Sequence, residues 1–488
     1  MAPTATNRWL AERYNANNAW NFNGTNGTLN NNNVTNSLRC QAVTNLLKRI
    51  FRFMTREEEF FNIMLRFMFS TRRNKRYGRD SMSFERAWAP RLLRMMRGLL
   101  GKTFRITENY AFLTSVPRWR EVFATMFEGR IADHIVCDTL SPFIEKVLHP
   151  RTFNNRIGKG SQAAINQVIE DIEALDLAAI SSGNPEDEPW VVKWDLKGFF
   201  PNADCDFMEK CFLNVIDGYE EEISRMYGSD APGFLKWLVM VCVHSYPADH
   251  CEFRSPRHLW KQHIPPAKSI IGKPSGKGAP IGRLSSQVAM GLYINPEVIW
   301  LNEVCGIRTT VFMDDGVMVF PKRVLPIVLA TMPELRRRLA AKGVMMNERK
   351  FYCQPARHGL EFLGTHIRGN RFILNDSTFL RGMCRINEYN GLGTDDKYKS
   401  IDGFMSTVNS YTGLLKNRTS WKRLNEIRSS IHPDWWTWME WDQERKCIVC
   451  REGFRLRDRL NRKYNLKLKY HDKRRKTSAH QRAVEPAA

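Results

Sequence analysis

The sequence predicts an α+β protein with acidic side chains placed next to the strands of a sheet. The stretch RTTVFMDDGVMVF, residues 308–320, sets Asp314 and Asp315 between two apolar runs that are typical of strands. A second apolar run, residues 190–194, is followed directly by Asp195. From about residue 46 the apolar residues recur at spacings of three and four, which indicates amphipathic helices.

The chain is basic and long enough for about three domains of ordinary size. It has 488 residues, of which 43% are hydrophobic and 11% aromatic, so it can build folded cores. Lysine and arginine number 74 against 51 aspartate and glutamate residues, an excess of 23 positive charges. Such an excess on a folded protein favours a polyanionic partner, nucleic acid before membrane.

Targeting and redox signals are weak. The chain has no run of about 18 apolar residues and begins without an apolar signal core, which predicts a cytoplasmic protein with no membrane partner. Its 11 cysteines are scattered, which favours reduced thiols. Cys447 and Cys450 form one close pair, but a zinc site there would need further ligands such as His471 and is not favoured.

Each acidic site has two interpretations. Asp-Asp-Gly is a common hairpin turn, because Asp and Gly tolerate positive φ angles, and Asp195 could cap a following helix. Alternatively, Asp195, Asp314 and Asp315 meet at adjacent strand ends and form a hard-oxygen site suited to Mg²⁺. Two such ions about 4 Å apart can activate an attacking hydroxyl and stabilise a leaving pyrophosphate, which is nucleotidyl-transfer chemistry.

A glycine-rich loop lies between the two acidic sites. Residues 272–282 include four glycines and two prolines, so their backbone can approach a ligand closely. The following stretch SSQVAMGLYINPEVIWL is predicted to form a helix that starts with serine caps. Its N-terminus would suit contact with a phosphate or a template.

Seven motifs in this order resemble those of reverse transcriptases, over about residues 100–370. They are PRWREVFATMFEGRIADHIV (117–136), RIGKGSQAA (156–164), WDLKGFFPN (194–202), APIGRLSSQ (279–287), FMDD (312–315), MNERKFYC (346–353) and LEFLGTHI (360–367). The resemblance implies a right-hand polymerase, with fingers, a palm built on an antiparallel sheet and a helical thumb. It also implies RNA-directed DNA polymerase activity on dNTPs, with a template RNA and an RNA–cDNA duplex as partners.

The resemblance implies a catalytic metal site. Asp195, Asp314 and Asp315 would be its carboxylate ligands, with the adjoining Leu196 as a further metal-binding position. Two Mg²⁺ ions would be the cofactors, with Mn²⁺ as a substitute. Lys350 matches a position proposed to protonate the pyrophosphate.

The resemblance also implies a nucleotide site. Arg118 and Arg120 would hold the incoming triphosphate, and Phe200 would exclude a ribose 2′-hydroxyl by its bulk. Ile281 and Gln287 lie in the motif that touches the template and the nucleotide.

One branch of the family is indicated by the segment PIGRLSSQ, which is similar to the IGNLTSQ form of diversity-generating retroelements. Most reverse transcriptases carry Gln where this chain has Ile281, and residues 408–424 are similar to a thumb segment of the same group. Departures are Arg283 for the usual Asn, Ser285 for Thr and Phe312 for Tyr. Membership would imply error-prone copying of template adenines, a prokaryotic or phage host, and a small, oligomeric accessory barrel protein as partner. Ile281 cannot make the hydrogen bonds of Gln, which fits a looser hold on the nascent pair.

Five regions are expected along the chain. They are an Asn-rich extension (1–45), a basic helical region with the fingers (46–185), the palm (186–372), the helical thumb (373–445) and a basic tail (446–488). Between residues 15 and 36, 11 of 22 residues are Asn. This extension is either an ordinary polar arm or a translated copy of a template repeat.

Two features near the C-terminus leave alternatives open. The tryptophans of HPDWWTWMEWDQERK, at 435, 436, 438 and 441, serve packing or base stacking. The basic tail is either solvated or contacts RNA or a partner. No appended nuclease signature is present, so the enzyme is expected to copy its template without degrading it. Alternatives to the retroelement hypothesis are a group II intron-like or phage-defence reverse transcriptase, and an inactive RNA-binding scaffold with a polymerase fold.

Overall fold

The structure is a computed structural model that describes residues 57–73, 78–115, 118–369, 371–416, 418 and 420–451. The Asn-rich extension and most of the basic tail lie outside these residues. Within them, no helix is both long and apolar enough to cross a membrane.

The region before the central sheet is mainly helical. Its elements are α1 (Glu57–Thr71), α2 (Arg79–Arg86), α3 (Trp88–Leu100), β1 (Asn109–Thr114), β2 (Arg120–Thr125), α4 (Phe127–Val147) and α5 (Ser161–Ser182). The strands β1 and β2 pair antiparallel, with Asn109 opposite Thr125 and Thr114 opposite Arg120.

The middle of the chain alternates strands and helices. Its elements are β3 (Pro189–Lys197), α6 (Phe199–Asn202), α7 (Cys205–Gly218), α8 (Glu220–Tyr227), α9 (Ala231–Val243), β4 (Cys251–Phe253), α10 (Arg257–His263), α11 (Leu284–Ile299), β5 (Arg308–Phe312), β6 (Asp315–Pro321), α12 (Leu325–Ala341), β7 (Met345–Met346) and β8 (Tyr352–Pro355). The short strand β4 adds to β1 in parallel. A π-helical turn, Trp300–Val304, continues α11.

The C-terminal part is a small sheet followed by a helical unit. Its elements are β9 (Leu360–Phe362), β10 (Thr365–Arg368), β11 (Arg371–Leu374), α13 (Asp376–Asn390), α14 (Thr394–Lys399), α15 (Ile401–Leu415), α16 (Trp421–Ser430), β12 (Met439–Asp442) and β13 (Cys447–Cys450). The strands β9, β10 and β11 form an antiparallel sheet, and β12 pairs with β13.

The central sheet is antiparallel, in the order β5-β6-β3-β7, and β8 also pairs with β3. Successive strand residues face opposite sides of a sheet, so Val192 and Trp194 enter the large helical core. Val191 enters a second core beneath α5 and the β9–β10 hairpin. Both faces are covered, which explains why residues 190–194 are apolar almost without interruption.

The helical unit after β11 has its own core, which extends from Leu374 to Ile448. Trp435 is fully buried and stacks on Phe404, with ring centroids 3.9 Å apart and planes inclined by 10°. Trp438 is also buried. Ile448 of β13 lies in this core, so the β12–β13 hairpin packs with the helices on both sides of the predicted boundary at 446.

Candidate active site

Asp195 and Asp315 lie directly opposite each other on neighbouring strands of the central sheet. The register of β3 and β6 pairs Val191 with Val319, Lys193 with Val317, and Asp195 with Asp315. The prediction that β3 ends at Asp195 was wrong, because β7 pairs with Leu196 and Lys197 and extends the strand by two residues. Asp195 is therefore 4% exposed.

Asp195 does not cap the following helix. The residue before α6 is Gly198, which lies in the left-handed region and makes no side-chain cap. Asp204, nine residues further on, caps α7 by accepting a hydrogen bond from the backbone N–H of Phe207.

The β5–β6 hairpin has a two-residue turn formed by Met313 and Asp314. Phe312 pairs with Asp315, so Asp315 already belongs to the strand. The positive φ angle was expected at Asp or Gly but lies at Met313, with a value of 56°. A positive φ is uncommon for a side chain of this size. It leaves Asp314 at the tip, where its carbonyl accepts a hydrogen bond from the backbone N–H of Leu196 at 3.0 Å.

Gly316 allows the hairpin to sit on the sheet. A Cβ atom at this position would lie 2.1 Å from the ring of Trp194. Trp194 fills the opposite face of β3 and is fully buried. The glycine after the two aspartates is therefore required for packing beneath β6.

Lys350 and Asn347 bring the segment after β7 to Asp195. The Lys350 ammonium donates to Asp195 Oδ2 at 2.6 Å, and Asn347 Nδ2 donates to Oδ1 at 2.9 Å. The backbone N–H of Asn347 also donates to the Asp195 carbonyl at 2.8 Å. Both carboxylate oxygens of Asp195 thus have partners from one segment.

Lys193 is a part of the site that the motif comparison missed. It lies two residues before Asp195 on the same face of β3, is 7% exposed, and its ammonium contacts Asp315 Oδ1. The ammonium also donates to the Trp194 carbonyl at 3.0 Å. Strand alternation could have identified it, since a lysine two positions from a buried aspartate on one strand face must share its environment.

The surroundings of Asp314 disfavour its charged form and raise its pKa. Burial and the carboxylates of Asp315 and Asp195 raise the pKa of Asp314 to about 6, although Lys350 acts in the opposite direction. Like charges close together in a poorly solvated place produce such a shift. The strand register agrees with this, because Asp195 lies opposite Asp315 and Asp314 adjoins Asp315 at the turn.

The three carboxylates are of the ligand type that a divalent cation takes, although their side chains are not in a metal-binding geometry in this structure. Mg²⁺ takes hard oxygen ligands, and these three carboxylates are crowded enough to raise a pKa. Among the described residues, no three His, Cys, Asp or Glu side chains are placed so that they could hold a metal ion. Lys193 and Lys350 instead each neutralise one carboxylate.

The glycine-rich loop packs against the chain just after β3. The backbone N–H groups of Ala279 and Gly278 donate at 2.8 Å to the carbonyls of Phe200 and Ala203. The N–H of Gly282 donates to the Phe123 carbonyl of β2 at 3.1 Å, and a Cβ at Gly282 would lie 2.4 Å from that oxygen. The loop thereby connects β2 to the segment that contains Phe200.

Ile281 and Gln287 are joined directly. The Gln287 amide donates to the Ile281 carbonyl at 2.9 Å, and both side chains are partly exposed. Phe200 is half-buried and meets Phe199 edge to face at 6.0 Å.

Arg118 and Arg120 are exposed near the start of β2. No hydrogen bond or ion pair links either arginine to the three carboxylates in the part of the chain that the structure describes. Trp119, between them, stacks on His263 with ring centroids 3.9 Å apart. Arg120 is the first residue of β2, the strand whose Phe123 carbonyl accepts from Gly282, and Arg118 lies two residues before it.

The loop ends in a buried ion pair rather than in serine caps. Arg283 precedes α11 without capping it, and its guanidinium meets both Asp133 oxygens, at 2.8 and 3.2 Å. Ser285 donates to the same Asp133 at 2.8 Å instead of capping the helix. Asp133 on α4 was not identified from the sequence, although an unusual arginine in an apolar motif indicates a carboxylate partner.

Comparisons with known proteins give distant structural matches. No family model matches the sequence, and no curated protein does. The chain is similar to solved structures of telomerases. For apo telomerase from Candida tropicalis truncated from its C-terminal domain, the identity is 13%, the TM-score 0.39, and 55% of each chain is covered.

Two further telomerases are similar at the same level. Apo telomerase from Candida tropicalis has 11% identity and a TM-score of 0.41, with 67% of this chain and 56% of that chain covered. Telomerase from Candida albicans in complex with a TWJ fragment of telomeric RNA has 12% identity and a TM-score of 0.35, with 67% and 55% covered. The chain spans about half the length of these telomerase chains.

Proposed function

We propose that the protein is an RNA-directed DNA polymerase that extends a primer by nucleotidyl transfer. The observation that carries this proposal is the pairing of Asp195 with Asp315 across β3 and β6, with Asp314 at the adjoining turn. Three carboxylates at one end of a sheet are costly unless positive charge offsets them; Lys193 and Lys350 do so here for Asp315 and Asp195, and a bound cation would do so for all three. The charge excess of 23 favours a nucleic acid as the partner.

In this proposal, Asp195, Asp314 and Asp315 hold two Mg²⁺ ions, with the backbone at Leu196 beside them. Bound there, the ions would lower the pKa of an attacking hydroxyl and neutralise the leaving pyrophosphate. Lys350, whose ammonium donates to Asp195 in this structure, would supply a proton to that pyrophosphate.

The remaining site residues would position the nucleotide. Arg118 and Arg120 are exposed and would meet the triphosphate through their guanidinium groups. Phe200, Ile281 and Gln287 belong to segments joined by backbone hydrogen bonds, and would line the pocket of the nascent pair. The regions 46–185, 186–372 and 373–445 would then be fingers, palm and thumb.

We further propose that the enzyme belongs to a diversity-generating retroelement and copies a template-repeat RNA into cDNA mutagenised at adenines. Ile281 supports this, because its side chain offers no hydrogen bond to the nascent pair where most reverse transcriptases have Gln. An oligomeric accessory barrel protein is the partner proposed with this assignment. Co-expression of the neighbouring genes followed by gel filtration tests it, and the absence of a shared peak would count against the partnership.

Primer extension tests the catalytic proposal. A DNA primer on an RNA template is incubated with Mg²⁺ and dNTPs, and the products are sequenced. Asp315→Asn should abolish extension while template RNA binding is retained, because it removes a metal ligand and no phosphate contact. Asp396→Asn is the matched control, since Asp396 is 65% exposed on α14 and its substitution should leave extension unchanged.

The outcomes separate the alternatives. Errors concentrated opposite template adenines support the retroelement assignment, whereas faithful cDNA supports a group II intron-like or phage-defence enzyme. If neither the wild type nor any variant extends the primer and all of them still bind RNA, the result would favour an inactive scaffold. Equal loss of extension and RNA binding in Asp315→Asn would mean that the acidic pair is structural.

A further inference from the structure

A cleft of about 660 Å³ lies in the C-terminal helical unit, between α16 and the β12–β13 hairpin. Its lining includes two tryptophans, two arginines, an amide and a carboxylate: Trp436, Trp441, Arg428, Arg451, Asn425 and Glu440. None of these residues belongs to the candidate active site.

The tryptophan-rich segment divides into packing and cleft residues. Trp435 and Trp438 are buried in the core of the unit and meet edge to face at 6.0 Å. Trp436 and Trp441 are only partly buried and line the cleft. Trp436 and Trp441 also pack against this core, but each keeps part of its ring surface exposed in the open cleft.

Positive charge borders these two rings. The Arg428 guanidinium lies 5.6 Å from the ring centre of Trp441, and Arg451 donates to the Met439 carbonyl at 3.1 Å. Both arginines are exposed. The chain continues beyond Arg451 into residues 452–488, which contain 12 lysines and arginines against 4 aspartates and glutamates.

We propose that this cleft binds a single-stranded segment of RNA. A base would stack on Trp436 or Trp441, as bases do on aromatic side chains in single-strand binding sites. Arg428 and Arg451 would meet the flanking phosphates, and Asn425 and Glu440 offer hydrogen-bonding groups to a base edge. The binding of a duplex is disfavoured, because the ring faces of its bases are already stacked on neighbouring bases and are not available to the tryptophans.

The proposal does not depend on catalysis. It predicts that the full chain holds unpaired RNA at a place separate from the carboxylates, in the absence of dNTPs and Mg²⁺. Such a contact would anchor a strand that is not part of the copied duplex.

Photochemical cross-linking tests the proposal. The full-length protein is irradiated with a ten-nucleotide oligouridine carrying 5-iodouridine, without metal, and cross-linked peptides are mapped by mass spectrometry. Cross-links are expected at Trp436 or Trp441. The double variant Arg428→Gln/Arg451→Gln should reduce their yield by about tenfold or more.

A matched double variant, Lys422→Gln/Arg445→Gln, controls for charge. Lys422 is exposed on α16 and Arg445 is exposed in the β12–β13 turn, and neither lines the cleft. This variant should retain the cross-links. Both double variants should melt close to the wild type, because all four side chains are exposed and the cleft pair gives up only the Arg451 hydrogen bond and the Arg428 ring contact.

Three results would overturn the proposal. They are cross-links that map only to other peptides, equal losses in the two double variants, and displacement of the RNA more readily by polyglutamate than by unlabelled oligouridine. The last result would indicate an acidic protein partner instead. Cross-linking at the cleft by a protein that fails in primer extension would uphold the cleft while refuting the polymerase.

Discussion

The buried pair Arg283–Asp133 offers the sharpest test of how the loop before α11 is held. Each side chain is 1% exposed, and two hydrogen bonds join them. Removing one partner of a buried ion pair leaves an uncompensated charge and costs about 3–5 kcal/mol. Asp133→Leu also takes the acceptor from Ser285, which adds about 1 kcal/mol.

We therefore expect Asp133→Leu to lower the free energy of unfolding by about 4–6 kcal/mol, and Arg283→Leu by about 3–5 kcal/mol. The double variant should lose much less than the sum, since two apolar side chains replace a pair whose desolvation is itself costly. Urea unfolding followed by tryptophan fluorescence measures each value. Glu334→Leu, which breaks an ion pair on the exposed side of α12, should leave the midpoint unchanged.

Additive losses would refute this reasoning, because they would show that the two side chains act independently. A single-variant loss below about 1 kcal/mol would also refute it, since it would place the pair in contact with solvent. A functional consequence is expected as well. Gly282 adjoins Arg283 and is bonded to Phe123, so freeing the arginine should loosen the loop on which Ile281 lies.

Three further predictions address the site and its surroundings. Gly316→Ala should destabilise the protein by about 1–3 kcal/mol and impair extension, because its Cβ meets the buried ring of Trp194; normal melting and activity would contradict the described packing. Ile281→Gln should lower the error frequency opposite template adenines, and an unchanged error spectrum on sequencing would remove the proposed role of this side chain. Burial raises the pKa of Glu121 above its ordinary value of 4.5, so the folded state binds more protons than the unfolded chain in that range. The contribution of Glu121 to stability should fall as pH rises from about 4.5 through the raised pKa, and Glu121→Gln should flatten this slope in urea titrations; parallel curves would show that the pKa of Glu121 is not raised in the folded state.

Local sequence patterns predicted much of the central sheet. The apolar runs on both sides of Asp314 and Asp315 form β5 and β6, and the run before Asp195 forms most of β3. Such runs predict strands because a sheet covered on both faces needs apolar side chains at nearly every position. The predicted end of β3 was wrong, because the last two residues of this strand pair with β7, which lies about 150 residues further along the chain.

Apart from Lys193, which strand alternation places beside Asp195, the partners of the site residues could not be predicted from local patterns. Asn347 contacts Asp195 from within a motif in which only Lys350 had been assigned a role, and Asp133 of α4 meets Arg283, about 150 residues away. A charged side chain can be recognised in the sequence, but the group that neutralises it is chosen by the packing of distant segments.

The sequence by itself determined the chemical types available to this protein: three carboxylates at apolar strands, a glycine-rich loop between them, and an excess of 23 positive charges. Only the tertiary structure decided their arrangement. Strand register sets Asp195 against Asp315, and side-chain packing divides the tryptophans between a core and a cleft. The physical reason is that strand pairing and burial depend on segments far apart in the chain that fold cooperatively. Residue type and hydrophobic periodicity, in contrast, are properties of a short stretch of sequence.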